Sequence, residues 1–346
     1  MGSRSYVGTR TGIVRVLVRV LWVVGRPLAG QTHLMTRESV ATAFITGAGG
    51  FIGTELVKAL IARGHEVFGL APSAEAAERV RLAGGVPVLG DLLEPGQWQD
   101  EAAADWVFHL PPHPVWERRL THTRAGAIAR ARVSMDRHLL DAVAAGTTRR
   151  IVYVADTSCY GSHGLRAITE DEPARPSALG SCLVPALDRV DGYVAAGLPI
   201  VTALPGWVYG NGSWFRQHVV EPVMAGRRVR QFGNTGPSVS AVHVEDCARA
   251  LVHLAERGEA GGRYFVVGND PIRTHEFART FARLANRRLR VRRFPALATR
   301  FLVGPVLGDV LQADAVFSNI RLRGIGFRFR YPTLEQGVEQ ILGALQ

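Results

Sequence analysis

The chain has 346 residues, 47% of them hydrophobic and 21% charged, which is ordinary for a water-soluble globular protein and leaves ample length for a large core. Its formal charge of +11 is carried almost entirely by arginine, since Lys58 is the only lysine, a bias typical of a GC-rich genome. The arginine cluster at residues 287–293 lacks the interleaved aromatic residues of a nucleic-acid surface, so we expect no nucleic-acid partner. The three cysteines have no paired spacing, which argues against disulfides and a zinc site and indicates a reducing, cytoplasmic compartment.

Residues 1–40 stand apart from the rest of the chain. Residues 13–24 are apolar, but Arg15 and Arg19 interrupt them and they are too few to span a bilayer. We interpret residues 1–40 as an N-terminal extension that is poorly ordered or results from a mis-assigned start upstream of Met35. We therefore expect no membrane partner; a membrane-surface helix is the alternative.

The chain is organised around a glycine-rich turn. A short apolar strand ends at Thr46, glycines follow at positions 47, 50 and 53, and a helical pattern then begins. Glycines let the backbone approach a ligand, and the free N–H groups at a helix N-terminus favour a pyrophosphate. A second strand follows at the distance that a βαβ unit needs, so the pattern predicts a dinucleotide site. A tight connection without a ligand is the alternative.

Strands alternate with helices up to residue 210, which predicts an α/β fold. We expect a Rossmann-type doubly wound parallel sheet over residues 41–210, and a smaller C-terminal α/β substrate-binding lobe over residues 211–346. Residues 238–258 are expected to return to the Rossmann domain. Beyond the first strand, the predicted strands are 65–70, 86–89, 106–110, 151–154 and 200–204, and the clearest helices are 124–145, 244–256 and 274–285.

The residues after the second strand bear on the choice of nicotinamide cofactor. An acidic side chain there binds the ribose 2′-hydroxyl, whereas basic or hydroxyl groups admit a 2′-phosphate. No Asp or Glu lies between Val67 and Ala74, while Ser73 and Arg79 are present. The sequence therefore favours NADP(H) over NAD(H), although the arginine also fits a solvated helix face.

No metal site is predicted. His109 and His113 are four residues apart, but prolines lie between them and prevent the helical pairing that would bring both to one ion.

Further motifs extend over most of the chain: Gly90–Leu92, Val107–Leu110, Tyr160–Gly161, Pro205–Gly210, Val242–Asp246 and Gly326–Gly337. With the glycine turn, they make the chain resemble the extended short-chain dehydrogenases/reductases of the NAD(P)-dependent epimerase/dehydratase superfamily over about residues 41–340. The resemblance implies a bound nicotinamide cofactor. Taken with the residues discussed above, it implies cofactor contacts from Gly47, Gly50, Phe51, Ile52, Gly53, Ser73, Arg79, Asp91, Leu92, Leu110, Pro111, Pro205 and Val208.

The catalytic residues that the resemblance implies are missing. Such enzymes use a Ser or Thr and a Tyr-x-x-x-Lys motif for proton transfer, but the Tyr and Lys positions here are Leu179 and Leu183, and the Ser/Thr position is Asp156. Asp156 is a candidate proton donor, with capping of local N–H groups as the alternative. Thr157 and Ser158 are candidates to hydrogen-bond a substrate carbonyl, or ordinary turn hydroxyls. A substrate that carries its own acidic group is a third route.

Aromatic side chains are abundant on the loops that follow the predicted strands, which favours a flat apolar ligand. We therefore predict NADPH-dependent reduction of a ketone on an apolar, aromatic polyketide-type metabolite, as in antibiotic-pathway ketoreductases, by a monomer or homodimer. The alternatives are a nucleotide-sugar epimerase or dehydratase and a cofactor-binding scaffold or non-redox cyclase. The predicted substrate-binding residues are His113, Trp116, Trp207, Tyr209, Trp214 and Phe215.

Overall fold

The computed structural model describes residues 40–112, 118–144, 147–232 and 236–345. The chain divides into two units, Met1–Ser39 and Val40–Gln346. The prediction for the N-terminal extension lies outside the described residues, and everything below concerns the second unit.

All six predicted strands are present, and residues 41–210 contain two further strands, 164–168 and 207–209, that were not predicted. The strands are β1 (Thr42–Thr46), β2 (Glu66–Ala71), β3 (Val86–Leu89), β4 (Trp106–His109), β5 (Arg150–Val154), β6 (Gly164–Ile168), β7 (Ile200–Pro205), β8 (Trp207–Tyr209), β9 (Val229–Phe232), β10 (Ser238–His243), β11 (Arg263–Val266), β12 (Pro271–Arg273), β13 (Val291–Phe294) and β14 (Ala315–Phe317). The helices are α1 (Phe51–Ile61), α2 (Ala74–Leu82), α3 (Trp98–Glu101), α4 (His122–Ala144), α5 (Ala178–Ala195), α6 (Glu221–Met224), α7 (Val244–Arg257), α8 (Thr274–Leu284), α9 (Ala296–Val303), α10 (Pro305–Val310), α11 (Ile320–Gly324) and α12 (Leu334–Gly343).

A seven-stranded parallel sheet forms the centre, in the order β11-β7-β5-β4-β1-β2-β3. Helices cover both faces because its buried strands are apolar on both sides. On one face, α1 and α7 pack against the sheet through residues such as Leu56 and Leu251; on the other, α4 and α5 do so through residues such as Leu139 and Val190. This confirms the predicted Rossmann-type fold.

The lobe is built around a second, smaller sheet. Its strands run in the order β12-β10-β14-β6, β8 pairs with β10, and β9 pairs with β13 in a separate two-stranded sheet. Helix α7, in the predicted returning segment 238–258, packs on α1, whereas β10 in the same segment belongs to the second sheet. Strand β11, beyond that segment, is the edge strand of the main sheet next to β7. Among the described residues, no helix is both long and apolar enough to cross a membrane.

Candidate active site

The turn between β1 and α1 has contacts that require glycine. Gly47 has a φ of +69°, and a Cβ there would lie 2.2 Å from the Leu110 carbonyl oxygen. A Cβ on Gly53 would lie 2.1 Å from the Gly47 carbonyl oxygen. The Gly50 N–H donates to that same oxygen over 2.9 Å and closes the turn.

Helix α1 begins directly after Gly50, with Phe51, Ile52 and Gly53 as its first three residues. The first N–H groups of a helix have no acceptor within it, and they carry its positive dipole end. No acidic side chain lies in the first turn to offset that charge. The turn therefore fits the pyrophosphate of a dinucleotide.

Ser73 lies two residues after β2, and Arg79 lies in the last turn of α2. The exposed Arg79 is anchored on the glycine turn, because its Nε donates to the Gly49 carbonyl oxygen over 2.6 Å. Ser73 caps α2, and its hydroxyl oxygen accepts the Ala76 N–H over 3.3 Å. A hydrogen bond from the Ser73 hydroxyl lowers the pKa of Glu75, a carboxylate absent from the sequence prediction. This corner therefore presents both a cation and a carboxylate.

The other predicted cofactor residues follow parallel strands and so lie at one edge of the sheet. They are Asp91 and Leu92 after β3, Leu110 and Pro111 after β4, and Pro205 at the end of β7. Val208 is different, because it lies in β8, which pairs with β10 of the second sheet. His113 and Trp116 lie outside the described residues.

Thr46, the residue before Gly47, begins a buried polar network. Its hydroxyl oxygen accepts the Leu110 N–H over 3.1 Å and lies 2.8 Å from His109 Nδ1. His109 Nε2 lies 2.8 Å from Asp136 Oδ1. Burial lowers the pKa of His109, so we assign a neutral imidazole that donates from Nε2 to the carboxylate and accepts the threonine hydroxyl at Nδ1.

Asp136 connects these groups to the end of β5. The Tyr153 hydroxyl donates to Asp136 Oδ2 over 2.8 Å and accepts from Arg132 Nε over 3.0 Å. The Arg132 guanidinium lies 3.3 Å from Asp136 and also donates to the Val154 carbonyl oxygen over 2.5 Å. Burial raises the pKa of Tyr153, which keeps its hydroxyl protonated. The network thus joins α4 to the glycine turn and to the loop after β5.

Residues 155–158, the loop after β5, contain the predicted proton and hydrogen-bond donors. Asp156 Oδ1 accepts the Ser158 N–H over 2.7 Å and caps a short 3-10 turn at Thr157–Cys159. The Ser158 Oγ is buried and has no hydrogen-bond partner among the described residues. Buried hydroxyls are normally satisfied, so this oxygen is a candidate contact for a bound molecule. The role of Asp156 as an acid remains a prediction.

Helix α5 begins beside this loop and places Leu179 and Leu183 in its first two turns. Their side chains are 3% and 5% exposed and pack against apolar residues of α10. Helix α5 lies very close to the loop after β5, since a Cβ on Gly180 would be 1.9 Å from the Ser158 carbonyl oxygen. Burial raises the pKa of the adjacent Cys159 thiol to about 12, so this thiol is neutral near pH 7. These positions supply neither a proton relay nor a thiolate.

The comparisons with known proteins agree with this geometry. The model of the NAD-dependent epimerase/dehydratase family matches residues 43–268. The chain belongs to this family. Membership supports a nicotinamide cofactor and an oxidoreductase-like enzyme.

Individual relatives of this family member differ in activity. The chain is 28% identical to a 4-hydroxy-2-methyl-3-oxo-4-farnesyl-3,4-dihydroquinoline-1-oxide ketoreductase of Stigmatella aurantiaca, and the match covers 68% of this chain and 70% of that protein. It is 26% identical to dTDP-glucose 4,6-dehydratase of Streptomyces griseus, over 67% and 75%. The solved structure of human epimerase family protein SDR39U1 with NADPH shares the fold, with a TM-score of 0.72 and 22% identity over 87% of this chain and 99% of that one.

The aromatic wall predicted for this family member needs correction. Tyr209 and Phe215 are 2% and 0% exposed and pack against Phe277 in the core of the lobe, because the lobe needs large apolar side chains between its sheet and α8. Trp207 and Trp214 are half-buried, with ring centroids 5.4 Å apart, and remain predicted substrate contacts. The described residues contain no group of three or more His, Cys, Asp or Glu that could hold a metal.

The buried network was not predicted from the sequence. A signal for it was present: Arg132 and Asp136 are four residues apart on α4, on the stripe that also carries Met135, Leu139 and Leu140. A charged pair at helical spacing within a core-facing stripe indicates a buried ion pair.

Proposed function

We propose that the protein is a reductase that transfers a hydride from NADPH to a ketone on an apolar, aromatic polyketide-type metabolite. The observation that carries the proposal is the contrast between the two sides of the site. The glycine turn and α1 fit a dinucleotide, while Leu179 and Leu183, which the sequence predicts at the positions of the family's Tyr and Lys, are buried. A site without that proton relay suits a reactive ketone better than a substrate that needs proton abstraction from carbon.

The residues of this chain would have the following roles in the reaction. Gly47, Gly50 and Gly53 would hold the pyrophosphate, and the bound cofactor would supply the hydride. The unsatisfied Ser158 hydroxyl would hydrogen-bond the substrate carbonyl, and Asp156 or the substrate itself would deliver the proton. The Arg132 guanidinium, bound to the Val154 carbonyl, would hold the loop that carries both residues.

NADPH is the proposed cofactor because of Arg79. Its guanidinium is held at the turn by the bond to the Gly49 carbonyl, and it remains exposed to a 2′-phosphate. Glu75 would oppose this preference by repulsion of the phosphate. A larger thermal shift with NADH than with NADPH at equal concentration would contradict the proposal.

Turnover is tested with the purified full chain, deuterium-labelled NADPH and a panel of aromatic ketones. We expect NADPH oxidation and deuterium in the alcohol product. The matched control is Gly53→Ala, purified in the same way, in which the new Cβ displaces the turn. No oxidation by a wild-type protein that binds NADPH would reject the reductase and favour the scaffold or cyclase.

The proton donor is tested separately. Asp156→Asn keeps an acceptor for the Ser158 N–H but cannot donate a proton as an acid. A fall in kcat of about 10²-fold or more would support Asp156 as the acid. Unchanged kcat would assign the proton to the substrate or to solvent.

A nucleotide-sugar epimerase or dehydratase is the second candidate. The similarity to dTDP-glucose 4,6-dehydratase favours it. The buried leucine pair opposes it, since those reactions need a base. Conversion of a dTDP- or UDP-sugar without net NADPH consumption would establish it in place of the reductase.

A further inference from the structure

The two-stranded sheet formed by β9 and β13 has a strongly basic surface. Two chain segments that lie about sixty residues apart meet there, with Arg230 directly opposite Arg292 in register. Like charges at such positions repel each other unless an anion lies between them. Six exposed arginines lie on or beside this sheet, and we call them together the arginine face: Arg227, Arg228, Arg230, Arg290, Arg292 and Arg293. Arg230 and Arg292 share one side of the sheet, whereas Arg293, the next residue along β13, points to the other.

The arginine face lacks counter-charges among the described residues. Within the part of the chain that the structure describes, none of its six guanidinium groups forms an ion pair with a carboxylate. In contrast, the nearby Arg216 and Arg283 each pair with a glutamate. An uncompensated cluster of this kind attracts a partner with many negative charges.

Exposed apolar side chains directly follow the arginine face. Pro295 alone separates β13 from α9, where Leu297 and Phe301 are 83% and 75% exposed. These two residues are four apart and so lie on one side of the helix. At 1.5 Å of rise per residue, Phe301 lies about 8 Å along the helix from its first residue. The Arg119 guanidinium, 5.4 Å from the centroid of the Phe301 ring, adds another positive charge.

We propose that the arginine face and the exposed side of α9 dock the protein on an anionic phospholipid surface. Arginines attract the lipid phosphates, and large apolar side chains beside them insert at the boundary of the acyl chains. A nucleic acid would be attracted by the same charges, and its bases could stack on Phe301, but it offers no apolar environment for the aliphatic Leu297. The proposal differs from the expectation of no membrane partner, because the pairing of the two arginine segments is not visible in the sequence. It does not depend on the proposed reductase activity.

The test is co-sedimentation of the full chain with vesicles of phosphatidylcholine alone and of phosphatidylcholine mixed with phosphatidylglycerol. We expect binding to the mixed vesicles that weakens as salt is raised. Each arginine near an anionic bilayer contributes about a five-fold factor in partitioning, so R230Q/R292Q is expected to bind roughly 30-fold more weakly. L297S/F301S, which keeps every charge, is expected to bind about tenfold more weakly.

The matched control is R323Q/R328Q, which removes the same net charge from two exposed arginines beside the core formed by α1 and α7. It is expected to bind like wild type. Equal losses in R230Q/R292Q and R323Q/R328Q would overturn the proposal, because net charge would then explain the binding. Equal binding to both vesicle types would also overturn it. So would tighter binding to a duplex or single-stranded oligonucleotide, measured by fluorescence anisotropy, that L297S/F301S leaves unchanged.

Discussion

Replacement of Asp136 by asparagine tests whether the buried network holds the two sides of the site together. Asp136 is 0% exposed and takes hydrogen bonds from His109 and Tyr153 beside the Arg132 guanidinium, itself 6% exposed. Asparagine keeps the size and one acceptor but leaves the arginine charge buried without its counter-ion. Removal of one partner of a buried ion pair costs about 3–5 kcal/mol of unfolding free energy.

The assay is thermal unfolding followed by circular dichroism. Each kcal/mol shifts the Tm of a 150–250-residue domain by about 2–4 °C, and the larger size of this protein puts the expected loss at the lower end, about 6–10 °C. NADPH binding by Asp136→Asn is expected to weaken as well, because the network ends on the residue before the glycine turn.

The matched control is Glu172→Gln. Glu172 also pairs with an arginine, Arg166, over 2.5 Å, but the two side chains are 30% and 57% exposed. Exposed pairs contribute little, so its Tm is expected to stay close to that of wild type. A Tm for Asp136→Asn within error of this control would refute the argument that the network stabilises the site.

Three further predictions follow from single residues. Gly53→Ala is expected to abolish NADPH binding detectable by calorimetry. Its control is Gly192→Ala on the exposed side of α5, where a Cβ meets nothing within 4 Å, and this variant is expected to stabilise the fold by about 0.5–1 kcal/mol. Equal effects of the two variants on NADPH binding would contradict the fit of the turn. Arg79→Ala is expected to raise the Kd for NADPH about tenfold or more and to leave that for NADH nearly unchanged, and parallel losses would show that the arginine only supports the turn. Burial lowers the pKa of His109 in the folded state, so the contribution of His109 to stability is present above the unfolded-state pKa near 6.5 and is lost as the pH falls below it. The unfolding free energy is then expected to change by up to about 1.4 kcal/mol per pH unit. His109→Gln is expected to reduce this pH dependence in denaturant titrations, and an unchanged pH dependence would assign it to other groups.

Most of the Rossmann fold could be predicted because its signals are local. The turn after Thr46 combines a short strand, glycines at fixed spacing and a helix start within about a dozen residues. Helix α4 was predicted at 124–145 and is observed at His122–Ala144. These elements are determined by neighbouring residues, so the sequence contains the information directly.

The parts that could not be predicted depend on contacts between distant segments. Nothing in the four residues of β11 indicates that they extend the main sheet beside β7 instead of staying in the lobe. Phe215 follows Trp214 in an aromatic loop that is typical of a pocket wall, yet only the packing of α8 decides that it is buried. The hydrogen bond from Arg132 to Tyr153 likewise cannot be predicted without the fold, because the two residues lie on different elements.

The leucine pair at positions 179 and 183 is part of a larger apolar arrangement. Both side chains face α10, and the adjacent Cys159 is buried with them. A tyrosine and a lysine placed there would lose water without gaining hydrogen-bond partners, and a buried unpaired ammonium is strongly unfavourable. The surrounding residues are therefore matched to leucine. The polar groups next to these leucines come from the loop after β5, where Asp156 and Ser158 lie between the buried network on one side and the apolar start of α5 on the other.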